Sequence, residues 1–107
     1  MPSVVDRGDI IWLEMRPTHG REQAGHRPHL VLSERRFHDL RGMAIVVPMT
    51  TSRRDWPTRI AIGAGLYAIC EQPRSVSFQR VTRVENTRHD VSQVRRIINY
   101  LMGGDFT

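Results

Sequence analysis

The chain alternates before it coils. Along Ile10-Ile-Trp-Leu-Glu-Met15, successive side chains fall on opposite faces of an extended segment. Ile10, Trp12 and Glu14 share one face; Ile11, Leu13 and Met15 share the other. Arg7-Gly8-Asp9 reads as the turn that feeds this strand. Leu30-Val-Leu32 is a short apolar strand, and Met43-Ala-Ile-Val-Val47 is a buried strand ended by Pro48. Thr58–Ile62 alternates again, and Gly63-Ala-Gly65 turns the chain into Leu66–Cys70, which should pair back antiparallel. Gln79–Val84 alternates once more.

Two segments carry the helical period instead. Ser33–Leu40 predicts a short helix with Phe37 and Leu40 three apart. Val91, Val94, Ile97, Ile98, Leu101 and Met102 predict a C-terminal helix packed on the sheet, with Arg95, Arg96 and Asn99 opposite. Asp90 is its expected N-cap, Gln93 completes a capping-box pattern, and Gly103-Gly104 stops it. The sum is a mainly β fold with α additions: a small barrel with a short insert helix and a C-terminal helix, as one domain over 1–107.

Two polar stretches interrupt this pattern. Pro17-Thr-His-Gly-Arg-Glu-Gln-Ala-Gly-His-Arg-Pro28 has two Pro, two Gly and almost nothing apolar, so it is expected as a loop. Thr50–Pro57 is a second loop, holding Arg53, Arg54 and an isolated Trp56. Loops on a rigid scaffold are where binding and catalytic groups concentrate.

Composition adds three constraints. A chain of 107 residues buries a modest share of its surface, so oligomerisation would help it. Cys70 is the only cysteine, which excludes an internal disulfide and suits a reducing compartment. No apolar run has the length of a membrane span and the N-terminus lacks a signal-peptide core, so a cytoplasmic location is expected. The formal net charge is +5 and all sixteen basic residues are arginine. The missing lysine fits a GC-rich coding composition, but the positive excess itself points to an anionic partner.

Five motifs in order resemble the MazF/PemK family of toxin endoribonucleases, the toxin halves of bacterial toxin–antitoxin pairs. They are Arg7-Gly-Asp-Ile-Ile-Trp12, Pro17–Pro28, Val31-Leu-Ser33, Val46-Val-Pro-Met-Thr-Thr51 and Cys70-Glu-Gln-Pro-Arg-Ser-Val76, followed by the terminal helix. The resemblance covers nearly the whole chain. It implies an SH3-like barrel, a homodimer, and cleavage of single-stranded RNA without a metal or other cofactor. It also implies a cognate antitoxin whose acidic tail lies along the RNA groove.

By the same resemblance, Arg27, Thr50 and Glu22 are the candidate catalytic residues. Arg21, Gln23, His26, Thr51, Arg53, Glu71 and Arg74 are candidate substrate contacts. Metal-free cleavage uses the RNA's own 2′-OH as nucleophile. The protein must move two protons and stabilise charge on phosphorus, a task suited to arginine. Arg27 would lower the pKa of a nearby Glu22, so Glu22 is either the base or a positioning group. Plasmid-type relatives carry an arginine where this chain has Ile69, which puts more weight on the Pro17–Pro28 loop.

Plainer readings stand beside these. Arg27 and Glu22 can be a surface ion pair, Thr50 a strand-end hydroxyl, and Glu71 an edge-strand charge. Arg53, Arg54 and Trp56 are a candidate RNA contact, two arginines on backbone phosphates and an exposed indole on a base; the rival reading packs Trp56 over the barrel end. His26 and His29 have no Cys, Asp or Glu to complete a metal site. His19, His38 and His89 are expected to be solvated, as is the Arg80, Arg83 and Arg88 series. A gyrase poison of the same fold is the alternative function, but that activity depends on a tryptophan near the C-terminus, and Leu101–Thr107 has none. A nuclease-dead binder is a third.

Overall fold

The computed structural model describes residues 4–15 and 25–105, the side chain of Met15 excepted. Seven strands and two helices follow one another: β1 (Ile10–Met15), β2 (Gly25–Val31), α1 (Arg35–Arg41), β3 (Met43–Thr50), β4 (Arg59–Gly63), β5 (Leu66–Ile69), β6 (Arg74–Ser77), β7 (Val81–Glu85) and α2 (Ser92–Leu101). A 3₁₀ turn, Phe78–Arg80, links β6 to β7. All strand pairs are antiparallel, in the order β4-β5-β3-β2-β1-β7, with β6 pairing β3 beside that path. No helix of the described residues is long and apolar enough to cross a membrane.

The alternation of β1 divides two apolar clusters. Ile10 and the partly buried Trp12 join Leu30, Val47, Met49, Ala68 and Cys70 on one face, where Val91, just before α2, and Val94 within it close the core. Ile11 and Leu13 join Val5, Val31, Ala44, Val46 and Val76 on the other. The helix therefore packs on the sheet through its first turns. Tyr100, Leu101 and Met102 at its far end stay exposed.

Four expectations need correction. β2 begins at Gly25, so the last four residues of the expected loop are strand, held by pairing of Gly25–Pro28 with Trp12–Met15. Pro48 does not end β3, which runs on to Thr50. Arg74–Ser77, read as no element, is a strand paired with Met43–Val46. Asp90 caps one position early: its carboxylate accepts from Ser92 N at 2.9 Å, while the helix N-cap is Val91 and no side chain caps there.

Buried polar groups explain two further departures. His38 is fully buried rather than solvated, because its ring nitrogens bond the Val5 carbonyl at 2.8 Å and the Ser33 hydroxyl at 2.7 Å. Arg88 and Arg83 are not merely a solvated face. Arg88 Nε donates to the buried Asp9 carboxylate at 3.0 Å, and Arg83 pairs with Glu85 at 2.6 Å and lies over Trp12. Asp9 also accepts from Asp6 N and Asn86 Nδ2. Beside it, Gly8 holds φ +91°, and a Cβ there would run into the His89 backbone. The Arg7-Gly-Asp turn thus ties β2 to the segment that leads into α2, through Val31 N→Asp9 O and His89 N→Gly8 O.

Candidate active-site cleft

Register places the candidate residues. On β2, Arg27 and His29 share a face by alternation. His29 sits opposite Pro48 on β3, so Pro48 and Thr50 share that face. Continued two residues past this pair, the register brings Arg27 level with Thr50. Thr50 pairs with Tyr67, and Arg59 pairs with Ile69. Val46 pairs with Arg74. Arg27, His29, Pro48, Thr50, Tyr67, Ile69, Arg59 and Arg74 therefore lie on one side of the sheet, opposite α2.

The cleft exists because the sheet parts here. One edge of β3 pairs with β6 over Met43–Val46 and with β5 over Met49–Thr50. Among the described residues, Val47 and Pro48 have no strand partner on that edge. Ile45 uses its backbone groups on the β2 side, bonding Leu32 N and Ser33 Oγ. By alternation, the nitrogen of Pro48 faces the gap between β5 and β6. Proline has no N–H, so the gap strands no donor there. The resulting cleft, about 270 Å³, is lined by Arg27, His29, Pro48, Ile69, Gln72, Pro73 and Arg74.

Its electrostatics are set by two exposed guanidiniums around one buried imidazole. His29 is 1% exposed, and its Nδ1–H donates to the Arg27 carbonyl at 3.0 Å. Burial pushes its pKa down to about 4, the Arg27 carbonyl opposes this in part, and the charges of Arg74 and Arg27 add to the depression. The imidazole is neutral at pH 7 and braces the backbone of Arg27. Thr50 Oγ1 accepts the Ser52 N–H at 3.1 Å, which fixes the turn after β3 and leaves its O–H to donate. Burial, then the Glu71 charge, pushes the Cys70 thiol up to about 12, so it is not a nucleophile.

The cleft lining thus joins Arg27 and Arg74, Thr50 lies on the same face of the sheet outside that lining, and exposed Glu71 sits in the turn before Arg74. Thr51 and Arg53 are exposed on the loop after Thr50. His26 points to the opposite face from Arg27, and its Nδ1 bonds Thr82 Oγ1 at 3.0 Å. Glu22, Arg21 and Gln23 lie outside the described residues. The sequence reading missed His29, Gln72 and Ile69 as cleft walls. A period-2 count back from Leu30, applied across the loop boundary, would have placed His29 beside Arg27.

A family model described as "PemK-like, MazF-like toxin of type II toxin-antitoxin system" matches residues 6–102. The chain is 38% identical over 80 residues to the endoribonuclease toxin MazF of Escherichia coli K12, covering 71% of each. It is 32% identical over 88 residues to the endoribonuclease EndoA of Bacillus subtilis, covering 74% of this chain and 76% of that one. Its fold superposes on a crystal structure of MazE-MazF from Deinococcus radiodurans with a TM-score of 0.82 and 27% identity, over 95% of this chain and 98% of that chain. With a family model matching residues 6–102 and a relative 38% identical over 71% of the chain, this chain belongs to the PemK-like, MazF-like toxin family of type II toxin–antitoxin systems.

Proposed function

We propose that this protein is an endoribonuclease toxin that cuts single-stranded RNA without a metal. The reading is carried by one observation: Arg27 and Arg74 line an open cleft on the sheet face that also carries Thr50, in a chain of this family. The substrate 2′-oxygen attacks the adjacent phosphorus, and the bond from phosphorus to the 5′-oxygen breaks. The products are a 2′,3′-cyclic phosphate and a 5′-OH. One proton leaves the 2′-OH and one reaches the departing 5′-oxygen.

Arg27 stabilises the charge that builds on the non-bridging oxygens, and the free O–H of Thr50 donates to one of them. Arg74 holds a neighbouring phosphate. Glu22 is either the base or the group that positions Arg27, and Glu71 is a second carboxylate for proton transfer or RNA contact. His29 is a positioning residue, since it touches the backbone of Arg27 rather than the reacting atoms. The other contacts proposed for RNA are Arg21, Gln23, Thr51 and Arg53. His26, on the reverse face, belongs to them only where RNA wraps the end of β2.

Two partners accompany this reading. An antitoxin with an acidic tail suits the same arginine-lined cleft and the net charge of +5. A homodimer would cover the apolar surface left by Ile45, Leu101 and Met102, which are 40%, 49% and 76% exposed. These flank or extend a shallow groove lined in part by Leu32, Ile45, Ile98 and Met102.

The test is incubation of the purified protein with a long RNA in EDTA, followed by mapping of fragment ends. Discrete cuts with 5′-OH ends, lost in a folded Arg27→Ala variant, are expected. No cutting across a broad set of RNAs would overturn the reading.

A further inference from the structure

Beyond the cleft, the same face of the sheet carries a second recess of about 450 Å³, built on the loop that follows Thr50. Its walls include Arg53, Arg54, Trp56, Arg59 and Tyr67. Trp56 is 49% exposed, so it does not pack over the barrel end as a core residue would. Two guanidiniums lie over its ring instead, Arg54 at 5.2 Å and Arg59 at 5.1 Å from the centroid.

The two arginines differ in how they are held. Arg59 rises from β4, and its Nη1 donates to the Ser52 carbonyl at 2.8 Å. Its Nε is buried beside the indole and has no hydrogen-bond partner among the described residues. Arg54 comes from the loop and makes no hydrogen bond to any described residue. Register joins this recess to the first cleft. Tyr67 pairs with Thr50 on one side and Ala61 on the other, and Arg59 pairs with the cleft residue Ile69. The two recesses therefore sit side by side, one to two strand spacings of about 4.8 Å apart.

We infer that Arg54, Trp56 and Arg59 form a nucleotide subsite that takes an unpaired base next to the scissile phosphate, on the Thr50 side of the cleft. The inference rests on the endoribonuclease reading for the identity of the strand. The chemistry is that of a stacking platform. An indole offers a face to any base, and arginine planes offer both stacking and bidentate phosphate contacts. A base entering the recess displaces the untethered Arg54 from the ring, and Arg54 then closes on the following phosphate. Arg59, tied to Ser52, remains as the fixed wall. An acidic peptide would satisfy the guanidiniums but has no flat ring for the indole, so RNA is the better fit.

The experiment uses a single-stranded oligonucleotide with 2′-O-methyl riboses, which cannot be cut, and reads binding by fluorescence anisotropy. Trp56→Ala is expected to weaken binding by roughly five- to 150-fold, the loss of one base stack, while Trp56→Phe recovers most of it. Arg59→Gln weakens binding less steeply and flattens its salt dependence. With a cleavable RNA, the Trp56→Ala loss falls on KM more than on kcat. Arg27→Ala shows the reverse split, so failure of the subsite and failure of the nuclease reading are separable. Wild-type affinity in a folded Trp56→Ala variant would overturn the proposal. So would a variant that loses affinity for a polyglutamate peptide but not for the oligonucleotide. If Trp56→Ala does not fold, quenching of indole fluorescence by the oligonucleotide, absent in Trp56→Phe, decides the same question.

Discussion

Replacing His29 with glutamine should change how stability depends on pH more than stability at neutral pH. The folded state keeps His29 neutral down to about pH 4, whereas the unfolded chain takes up its proton near 6.5. Between those values the unfolded state binds more protons, so stability falls as pH falls and the loss is complete below the folded-state value. Integrating the two titrations gives a loss of about 2 kcal/mol between pH 7.5 and pH 5, and about 3 kcal/mol by pH 4. His29→Gln cannot titrate. Urea unfolding of both proteins across this range, at one protein concentration, isolates the His29 share because every other titrating group is common to both. The wild type should lose about 2 kcal/mol more than the variant by pH 5. Parallel curves, within about 0.5 kcal/mol, would refute the argument that burial holds this imidazole neutral.

Two other outcomes follow from named contacts. Asp9→Asn should lower stability by about 2–4 kcal/mol in thermal or urea unfolding. It weakens the buried carboxylate's bonds to Arg88, Asn86 and Asp6 N and sets an amide donor against other donors. Thr50→Val should cut the rate of RNA cleavage about tenfold to a hundredfold in EDTA with little change in oligonucleotide affinity, if its hydroxyl donates to the reacting phosphate as proposed.

Much of the fold was legible because β1 lies between two cores. Ile10 and Trp12 go to one, Ile11 and Leu13 to the other, and strict alternation records that. What escaped the sequence reading has its cause in neighbours. β6 carries one buried apolar residue, Val76, and its remaining order comes from pairing with β3. Pro28 and Pro48 read as stops, yet each sits inside a strand. By alternation from Leu32 N, the Pro28 nitrogen faces β3 just past the last β2–β3 pair, where no donor is needed. His38 looks like a polar helix residue until the Val5 carbonyl and Ser33 hydroxyl, from elsewhere in the chain, meet its ring. Arg27 and Thr50 were named from their motifs, whereas Arg59 and Tyr67 carry no motif and only strand register brings them to the same face.

The parting of the sheet at Pro48 also has a mechanical side. The β4–β5 hairpin joins the rest of the sheet through two register pairs, Met49↔Ala68 and Thr50↔Tyr67, and through the apolar contacts of Ile60, Ile62 and Leu66. The arginine cleft and the Trp56 recess share this hairpin as a wall, Ile69 on one side and Arg59, Ala61 and Tyr67 on the other, so a substitution in the β4–β5 turn that shifts the hairpin is expected to change both recesses together.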